Sequence, residues 1–147
     1  MTEKLTFNSV QVGDKLPTVV RPITQEIIWK NAVASLDYNP VHIDPEWVKG
    51  AQPFGIPVTV CHGMMTLSYM ATVVSDWCYN VMGSIRMMEG KLVKPVPAGS
   101  TTTCTGVVTE KHVISPGNNY VVVELNATNQ DGDTVAVADV EVVLPDK

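Results

Sequence analysis

The chain has 147 residues, of which 45% are hydrophobic and 17% are charged, and its formal net charge is −5. This length fits about one domain with a buried core, and the low charged fraction argues against a disordered chain. The acidic balance and the presence of only two arginines, Arg21 and Arg86, argue against nucleic acid as the main partner.

The first elements in chain order are short extended segments followed by a helix. Residues 5–21 predict one or two extended segments around a turn at residues 13–14. Residues 24–36 predict a helix with Thr24 as its N-cap, because apolar residues recur there at helical spacing: Ile28, Trp29, Ala32, Val33 and Leu36. The helix must end before the Asn39-Pro40 pair, because a proline ring pushes the preceding residue out of the α region.

The stretch 37–42, Asp-Tyr-Asn-Pro-Val-His, is the most informative segment of the chain. It places a carboxylate, Asp37, and an imidazole, His42, five residues apart across a peptide that cannot stay helical. The two side chains can therefore turn toward one another from the two sides of a fixed kink. Such an acid–base pair suits a reaction in which a proton is both taken and given.

A long irregular connection and a second helix come next. Prolines exclude a long regular element from residues 37–62, although residues 44–49 could form a helical turn. Residues 64–78 predict a helix that is apolar on nearly all sides, so we expect it to be buried inside a curled sheet or beneath a partner. We expect six methionines to fill the core or line a tunnel: Met64, Met65, Met70, Met82, Met87 and Met88.

After residue 82 the apolar residues alternate, which predicts strands. The predicted strands are residues 84–96, 101–111, 120–130 and 134–144. Predicted turns at residues 115–118 and 129–133 join the last three strands as hairpins. We expect the four strands to form a meander after the buried helix. The fold class is therefore α+β, with an antiparallel sheet wrapped around a long central helix.

Three cysteines, Cys61, Cys78 and Cys104, show no paired spacing, and the N-terminus lacks the apolar run of a signal peptide. We therefore expect reduced thiols and a cytoplasmic location. The longest apolar tract, residues 64–78, is too short and too polar to span a bilayer, so we expect no membrane partner.

Three segments resemble one known family, in its usual order and spacing. Residues 37–42 resemble the Asp-x-Asn-Pro-apolar-His motif of the MaoC-like, or (R)-specific, enoyl-thioester hydratases. Residues 61–66, Cys-His-Gly-Met-Met-Thr, resemble the family's His-Gly-Met-Leu entry into its central helix. Residues 91–100 resemble its Pro-Val-x-x-Gly-Asp strand end. The resemblance implies a single hotdog domain over residues 1–147.

The sequence departs from the family pattern at three places. Leu36 stands where the family has glycine before the catalytic aspartate, and its side chain could narrow the pocket or tilt Asp37. Ser100 replaces the strand-end aspartate, which affects a turn. Residues 52–60 form a longer loop than is usual, which could alter the acyl chain that fits.

The resemblance implies reversible hydration of a trans-2-enoyl thioester to the (R)-3-hydroxyacyl thioester, with no cofactor. Asp37 and His42 would hold one water between them, and the sequence leaves open which of the two is the base. The N–H of Gly63 at the start of the central helix would stabilise negative charge on the thioester oxygen. The implied substrate-binding residues are Asn39, His62 and Met64.

Two other roles for the histidines can be weighed from the sequence. His62 lies beside the helix start, where a packed or capping histidine is expected rather than a catalytic base. His42, Cys61 and His62 show no paired ligand spacing, so we expect no metal.

The implied partner is an acyl-CoA or acyl carrier protein thioester, and the sequence does not choose between these carriers. Only Arg86, Lys91 and Lys94 could form a basic patch for an acidic carrier protein. A homodimer is expected because pairing removes an exposed edge strand, and a heteromer with another hotdog chain is also possible. Two alternatives stay open: an acyl-thioester-binding subunit of a hetero-oligomeric hotdog dehydratase, motivated by Leu36, and a hotdog thioesterase.

Overall fold

A computed structural model describes residues 5–147 and contains one sheet and one long helix. In chain order the elements are β1 (Val19–Pro22), α1 (Gln25–Ser35), α2 (Pro40–Ile43), α3 (Pro45–Ala51), α4 (Gly63–Cys78), a 3-10 turn (Tyr79–Val81), β2 (Ser84–Leu92), β3 (Thr101–His112), β4 (Tyr120–Thr128) and β5 (Thr134–Val143). The predicted α+β class, with an antiparallel sheet curled around the central helix α4, is confirmed.

The order of the strands differs from the predicted meander. The sheet has five antiparallel strands in the order β1-β3-β4-β5-β2. β3, β4 and β5 follow one another in the chain and are also neighbours in the sheet. β2 pairs with β5, and the chain then crosses to the opposite side of the sheet to form β3. The four-strand meander is therefore wrong, because alternation identifies strands but does not say which strands become neighbours.

Strands β4 and β5 bury the faces that their alternation predicts. On β4 the inward residues are Val121, Val123, Leu125 and Ala127, and on β5 they are Ala136, Ala138, Val140 and Val142. They form one core cluster with the buried residues of α4. Each fully buried valine or leucine side chain contributes about 1.5–3 kcal/mol.

One stripe of α4 is not covered within this chain, so its burial beneath a partner stays a prediction. Met65, Met70 and Val73 are buried, but Met64 is 71% exposed at the first turn, and Ser75 and Asp76 are exposed near the end. The sheet covers α4 from one side only, so the opposite stripe stays open. The methionines expected in the core or a tunnel also differ in burial: Met65 and Met70 are buried, whereas Met82 is 90% exposed and lies outside the core.

The segment before β1 contains less strand than the sequence predicts. Within residues 5–21, extended pairing is confined to the start of β1 and an isolated bridge between Lys15 and Val107. The Lys111 ammonium fixes this segment instead, because it donates hydrogen bonds to the carbonyl oxygens of Phe7 and Val10.

The three cysteines are buried and unpaired, as predicted. Burial raises the pKa of the Cys61 and Cys104 thiols to about 11. Among residues 5–147, no helix has both the length and the apolar character needed to cross a membrane.

Candidate active site

The first wall of the site is built by the end of α1. Thr24 caps this helix, since its side-chain oxygen accepts a hydrogen bond from the Ile27 N–H at 3.2 Å. The helix ends at Leu36, which has left-handed backbone angles (φ 58°, ψ 25°) and turns Asp37 out of the helical path. Leu36 is 76% exposed, so its side chain does not cover the site in this chain.

The turn between Asp37 and His42 is held by its own side chains. Asp37 Oδ1 accepts a hydrogen bond from the Asn39 N–H at 3.3 Å. Asn39 Oδ1 in turn accepts one from the Val41 N–H at 3.2 Å and caps α2, whose first residue is Pro40. Asn39 therefore orders the loop that carries the two candidate catalytic side chains.

The ring of His42 is fixed by a backbone carbonyl. Its Nδ1 lies 2.7 Å from the Val60 oxygen, which can only accept, so Nδ1 carries the proton and Nε2 keeps its lone pair. The pKa of His42 is lowered overall, and burial of the ring is the largest cause. The hydrogen bond to Val60 raises the pKa, the neighbouring His62 lowers it, and the Asp37 carboxylate raises it. His42 is thus set up as a neutral base.

Asp37 and His42 face one another. Asp37 Oδ2 lies 3.9 Å from His42 Nε2, which is too far for a direct hydrogen bond. A single water oxygen can reach both atoms at that separation. The half-exposed carboxylate and the mostly buried imidazole therefore form a dyad able to grip one small molecule.

His62 lies behind both members of this dyad. Its side chain is only 3% exposed, and its ring stacks on His42 with the centroids 3.8 Å apart and an interplanar angle of 26°. His62 Nε2 donates a hydrogen bond to the backbone oxygen of Asp37 at 3.1 Å. Although His62 precedes α4, its side chain makes no capping hydrogen bond, so it is the packed histidine rather than the capping one.

The three side chains Asp37, His42 and His62 also offer potential metal-ligand atoms within 4.8 Å of one another. Two stacked rings direct their in-plane lone pairs along nearly parallel planes, so these lone pairs do not converge on one ion. The Nε2 of His62 is moreover engaged with the Asp37 carbonyl. This geometry suits a shared proton or water better than an ion, and the expected lack of a metal stays a prediction.

Two cavities meet at the dyad. The His42 pocket, of about 270 Å³, has mostly apolar walls that include Phe54, Val60, Cys61, Thr66 and Val96. The Asp37 pocket, of about 500 Å³, is lined by Asn31, Ser35, His62, Met64, Met65 and Ser68 besides Asp37. Gly63 and Leu92 line both pockets, so these two residues mark the junction.

Gly63 is the first residue of α4 and lies against the end of β2. A Cβ at this position would collide with Leu92 Cδ1, so glycine is what permits the close approach of helix and strand. The N–H groups of Gly63 and Met64 have no acceptor one turn earlier and lie at the positive end of the helix dipole, whereas Met65 and Thr66 donate to the His62 oxygen. An anionic oxygen at the junction would therefore be stabilised there.

The residues that fix the loops were not identifiable from the sequence. Gln25 Nε2 donates to the His42 carbonyl at 2.9 Å, and Gln25 Oε1 accepts from the Thr59 hydroxyl. The Val60 N–H donates to Val41 O at 3.1 Å. These partners are 17 to 34 residues apart or act through their backbone, so neither spacing nor residue type marks them.

Comparison with known proteins identifies the family of this chain. The family model described as "MaoC like domain" matches residues 8–130. A probable enoyl-CoA hydratase 2 of Dictyostelium discoideum is 29% identical over 124 residues, which make up 84% of this chain and 38% of that protein. The chain thus spans well under half the length of this relative.

Two solved structures show the same fold. The unliganded R-hydratase PhaJ1 from Pseudomonas aeruginosa matches with a TM-score of 0.83 and 22% identity, over 97% of this chain and 86% of that one. The ChsH1-ChsH2 complex from Mycobacterium tuberculosis matches with a TM-score of 0.76 and 24% identity, over 92% and 98%. The chain has the hotdog fold and belongs to the MaoC-like domain family.

Proposed function

We propose that this protein hydrates a trans-2-enoyl thioester reversibly to the (R)-3-hydroxyacyl thioester. The observation that carries the proposal is the 3.9 Å separation of Asp37 Oδ2 and His42 Nε2 at the junction of two pockets, beside the first turn of α4. The names of the relatives support the reaction class, since one is a probable enoyl-CoA hydratase 2 and another an R-hydratase.

The proposed chemistry uses one water molecule. The water donates one hydrogen bond to Asp37 Oδ2 and the other to the lone pair of His42 Nε2. As its oxygen bonds to the β-carbon, the proton moves to His42 and the C=C electron pair shifts toward the thioester carbonyl. His42 then returns the proton to the α-carbon of the enolate. The ring ends neutral again, so the same protonation state serves both directions of the reaction.

Gly63 has the third role in this proposal. Negative charge develops on the thioester oxygen as water adds, and the N–H groups of Gly63 and Met64 at the start of α4 are available to donate hydrogen bonds to it. One such donor is worth about 3–4 kcal/mol in a transition state. The collision that a Cβ would make with Leu92 shows how little space separates this backbone from its surroundings.

The apolar His42 pocket suits the acyl chain, and Phe54, from the long loop 52–60, helps to set its size. Met64 lines the Asp37 pocket and is largely exposed, which fits contact with the substrate near its carrier. Asn39 caps the turn, and His62, although nearly buried, lines the wall of the Asp37 pocket beside the dyad; both are proposed to act on the substrate through the dyad.

An acyl-CoA or an acyl carrier protein thioester is the proposed partner. Arg86 forms an ion pair with Glu141 at 3.2 Å, and Lys94 forms one with Asp133 at 3.1 Å. Lys91 forms no ion pair among residues 5–147, and coenzyme A is itself anionic, so these pairs do not choose between the carriers. The coenzyme A thioester is tested first because it is a small molecule.

We further propose that residues 1–147 act as one hotdog unit that associates with a second one, in the cytoplasm. Among the described residues, β2 pairs only with β5 and forms an edge of the sheet, with most of its own residues exposed. ChsH1-ChsH2 is a complex of two named chains, so both a homodimer and a heteromer are retained. Three buried free thiols are consistent with a reducing compartment.

The test is hydration of crotonyl-CoA, followed by the loss of its conjugated enoyl absorbance. We expect Asp37→Asn and His42→Ala each to lower kcat by about 10²–10⁴-fold, since each removes one of the two groups that hold the water. The matched controls are Asp76→Asn and His112→Ala: the Asp76 side chain is exposed, the His112 side chain is partly exposed, and neither residue lines either pocket.

Wild-type turnover in both dyad variants would refute the proposal, provided that circular dichroism shows them folded. An inactive wild-type chain that becomes active with a second hotdog chain would instead support the binding-subunit alternative. Leu36 motivated that alternative, but its side chain is exposed and leaves the dyad unobstructed. Release of free thiol from a saturated acyl-CoA would identify a thioesterase.

A further inference from the structure

His62 contacts both members of the dyad from the side away from solvent. It reaches Asp37 through the main chain, with Nε2 donating to the carbonyl oxygen at 3.1 Å. It reaches His42 through its ring face, with the two centroids 3.8 Å apart. One buried side chain thus connects the end of α1, the α2 turn and the start of α4.

We infer that His62 is a positioning residue for this reaction, which holds the Asp37 backbone with its Nε2–H and supports the ring of His42 with its face. The inference rests on the proposed function, because the dyad that His62 orients is the proposed catalytic one. It differs from the role expected from the sequence, in which His62 binds the substrate.

The hydrogen bond determines the tautomer of His62. A carbonyl oxygen only accepts, so the bond to Asp37 requires the proton on Nε2. His62 Nδ1 is buried and has no hydrogen-bond partner among residues 5–147, which fits an unprotonated nitrogen better than a second N–H. His42 has the opposite tautomer, because its Nδ1 donates to Val60 O.

The ring face matters because it limits where His42 Nε2 can point. The Nδ1–H bond to Val60 fixes one edge of the His42 ring, but a ring held at one point can still rotate about that bond. The stacked His62 ring blocks this rotation on one face. A misplacement of about 1 Å at a reacting group can cost on the order of 100-fold in rate.

The charged and titratable groups around His42 enter the design of the test. Asp37 and His62 contact or face its ring, and Cys61 and Lys94 line the same pocket. Burial lowers the pKa of His42 most, and positive charge on a protonated His62 imidazole lowers it further. Removing the second imidazole should therefore raise the pKa of His42 and move the acid limb of kcat/KM to higher pH.

The experiment compares three variants in which different contacts survive. His62→Gln keeps an N–H that can reach the Asp37 carbonyl, His62→Phe keeps the ring face, and His62→Ala keeps neither. With crotonyl-CoA we expect kcat to fall about 10- to 100-fold in the alanine variant and less in the other two. KM should change by less than about 3-fold, because in this role His62 does not touch the substrate.

The second readout does not depend on turnover. Proton NMR titration of the imidazoles, three in the wild-type protein and two in each variant, should show an upward shift of the His42 pKa in His62→Phe and His62→Gln. In the wild-type protein, nitrogen-15 NMR should show His42 protonated at Nδ1 and His62 at Nε2. This last measurement needs no variant to fold.

Several outcomes would overturn the inference. Wild-type kcat in all three variants, a loss confined to KM, or the opposite tautomer at His62 would each do so. A loss of stability with an unmoved acid limb and an unmoved His42 titration would reduce His62 to a packing residue. Absence of hydratase activity in the wild-type protein would instead refute the proposed function, while the NMR results would still decide the role of His62 toward His42.

Discussion

At the scale of single residues, the environment of His42 controls the proposed chemistry. The ring is 13% exposed, and the Val60 carbonyl holds its Nδ1–H, so Nε2 is the nitrogen that meets solvent and substrate. A histidine serves as a base only while it is neutral. The downward shift of its pKa keeps His42 neutral to lower pH than an unperturbed imidazole.

The pH dependence of activity follows from this shift. We expect kcat/KM for hydration to be level at neutral pH and to fall on the acid side with an apparent pKa below 6.5, the ordinary value for histidine. The sign follows because lowering the pH protonates Nε2 and removes the base. A pH series with crotonyl-CoA checks this, and an acid limb centred above 6.5 would contradict it.

Leu36 carries a measurable backbone cost. Its φ of 58° lies in the left-handed region, where a residue with a side chain is strained and glycine is not. We expect Leu36→Gly to raise the free energy of unfolding by about 1 kcal/mol and to leave kcat/KM unchanged. Urea unfolding measures the first quantity. A destabilised variant would mean that the exposed leucine packs against something outside this chain.

At the scale of elements, the site exists because several ends meet. The end of α1 supplies Asp37, α2 supplies His42, and the start of α4 supplies Gly63. The end of β2 closes the junction with Leu92, which lines both pockets. Element ends offer unpaired backbone groups and turn residues, which is why polar chemistry can be placed beside a largely apolar core.

Gly63→Ala tests the meeting of α4 and β2. The new Cβ collides with Leu92 Cδ1, the end of a half-exposed side chain that can move aside, so the variant should fold. We expect kcat/KM to fall at least about 10-fold, because the Cβ obstructs approach of the thioester oxygen to the backbone.

Adding Leu92→Ala separates the two effects of the new Cβ. We expect the double variant to recover the thermal stability of Leu92→Ala alone, since the collision partner is gone. The rate should not recover, because the obstruction of the substrate persists. Full recovery of kcat/KM in the double variant would show that the backbone of Gly63 does not contact the substrate.

At the scale of the whole molecule, the open surfaces lie beside the site. β2 is exposed along most of its length, and its apolar residues Ile85 and Met87 face outward at the edge of the sheet. An exposed apolar edge strand favours pairing with another chain. Met64, at the start of α4, is also exposed, and it lines the Asp37 pocket.

We expect light scattering after size exclusion to show a dimer at micromolar concentration. Met87→Lys should shift the protein toward monomer, because it places a charge on the edge that pairs. Val20→Lys is the matched control, since Val20 is an exposed residue of β1 at the opposite edge of the sheet. A wild-type monomer, or dissociation by the control alone, would contradict pairing through β2.

The sequence by itself determined the features that depend on neighbours along the chain. Helical spacing and the Thr24 cap gave α1, and Asn39-Pro40 gave the exit that carries Asp37 and His42. Alternation gave the buried faces of β4 and β5. These features depend on backbone preference and periodicity over a few residues, which a single sequence displays directly.

Only the tertiary structure decided which distant groups meet. It placed the Val60 carbonyl on His42, the His62 ring behind the dyad and Leu92 against Gly63, and it set β2 beside β5 instead of beside β3. The partners in each of these contacts lie 18 or more residues apart. Such contacts are selected by how the whole core packs, and no local pattern in the chain encodes that choice.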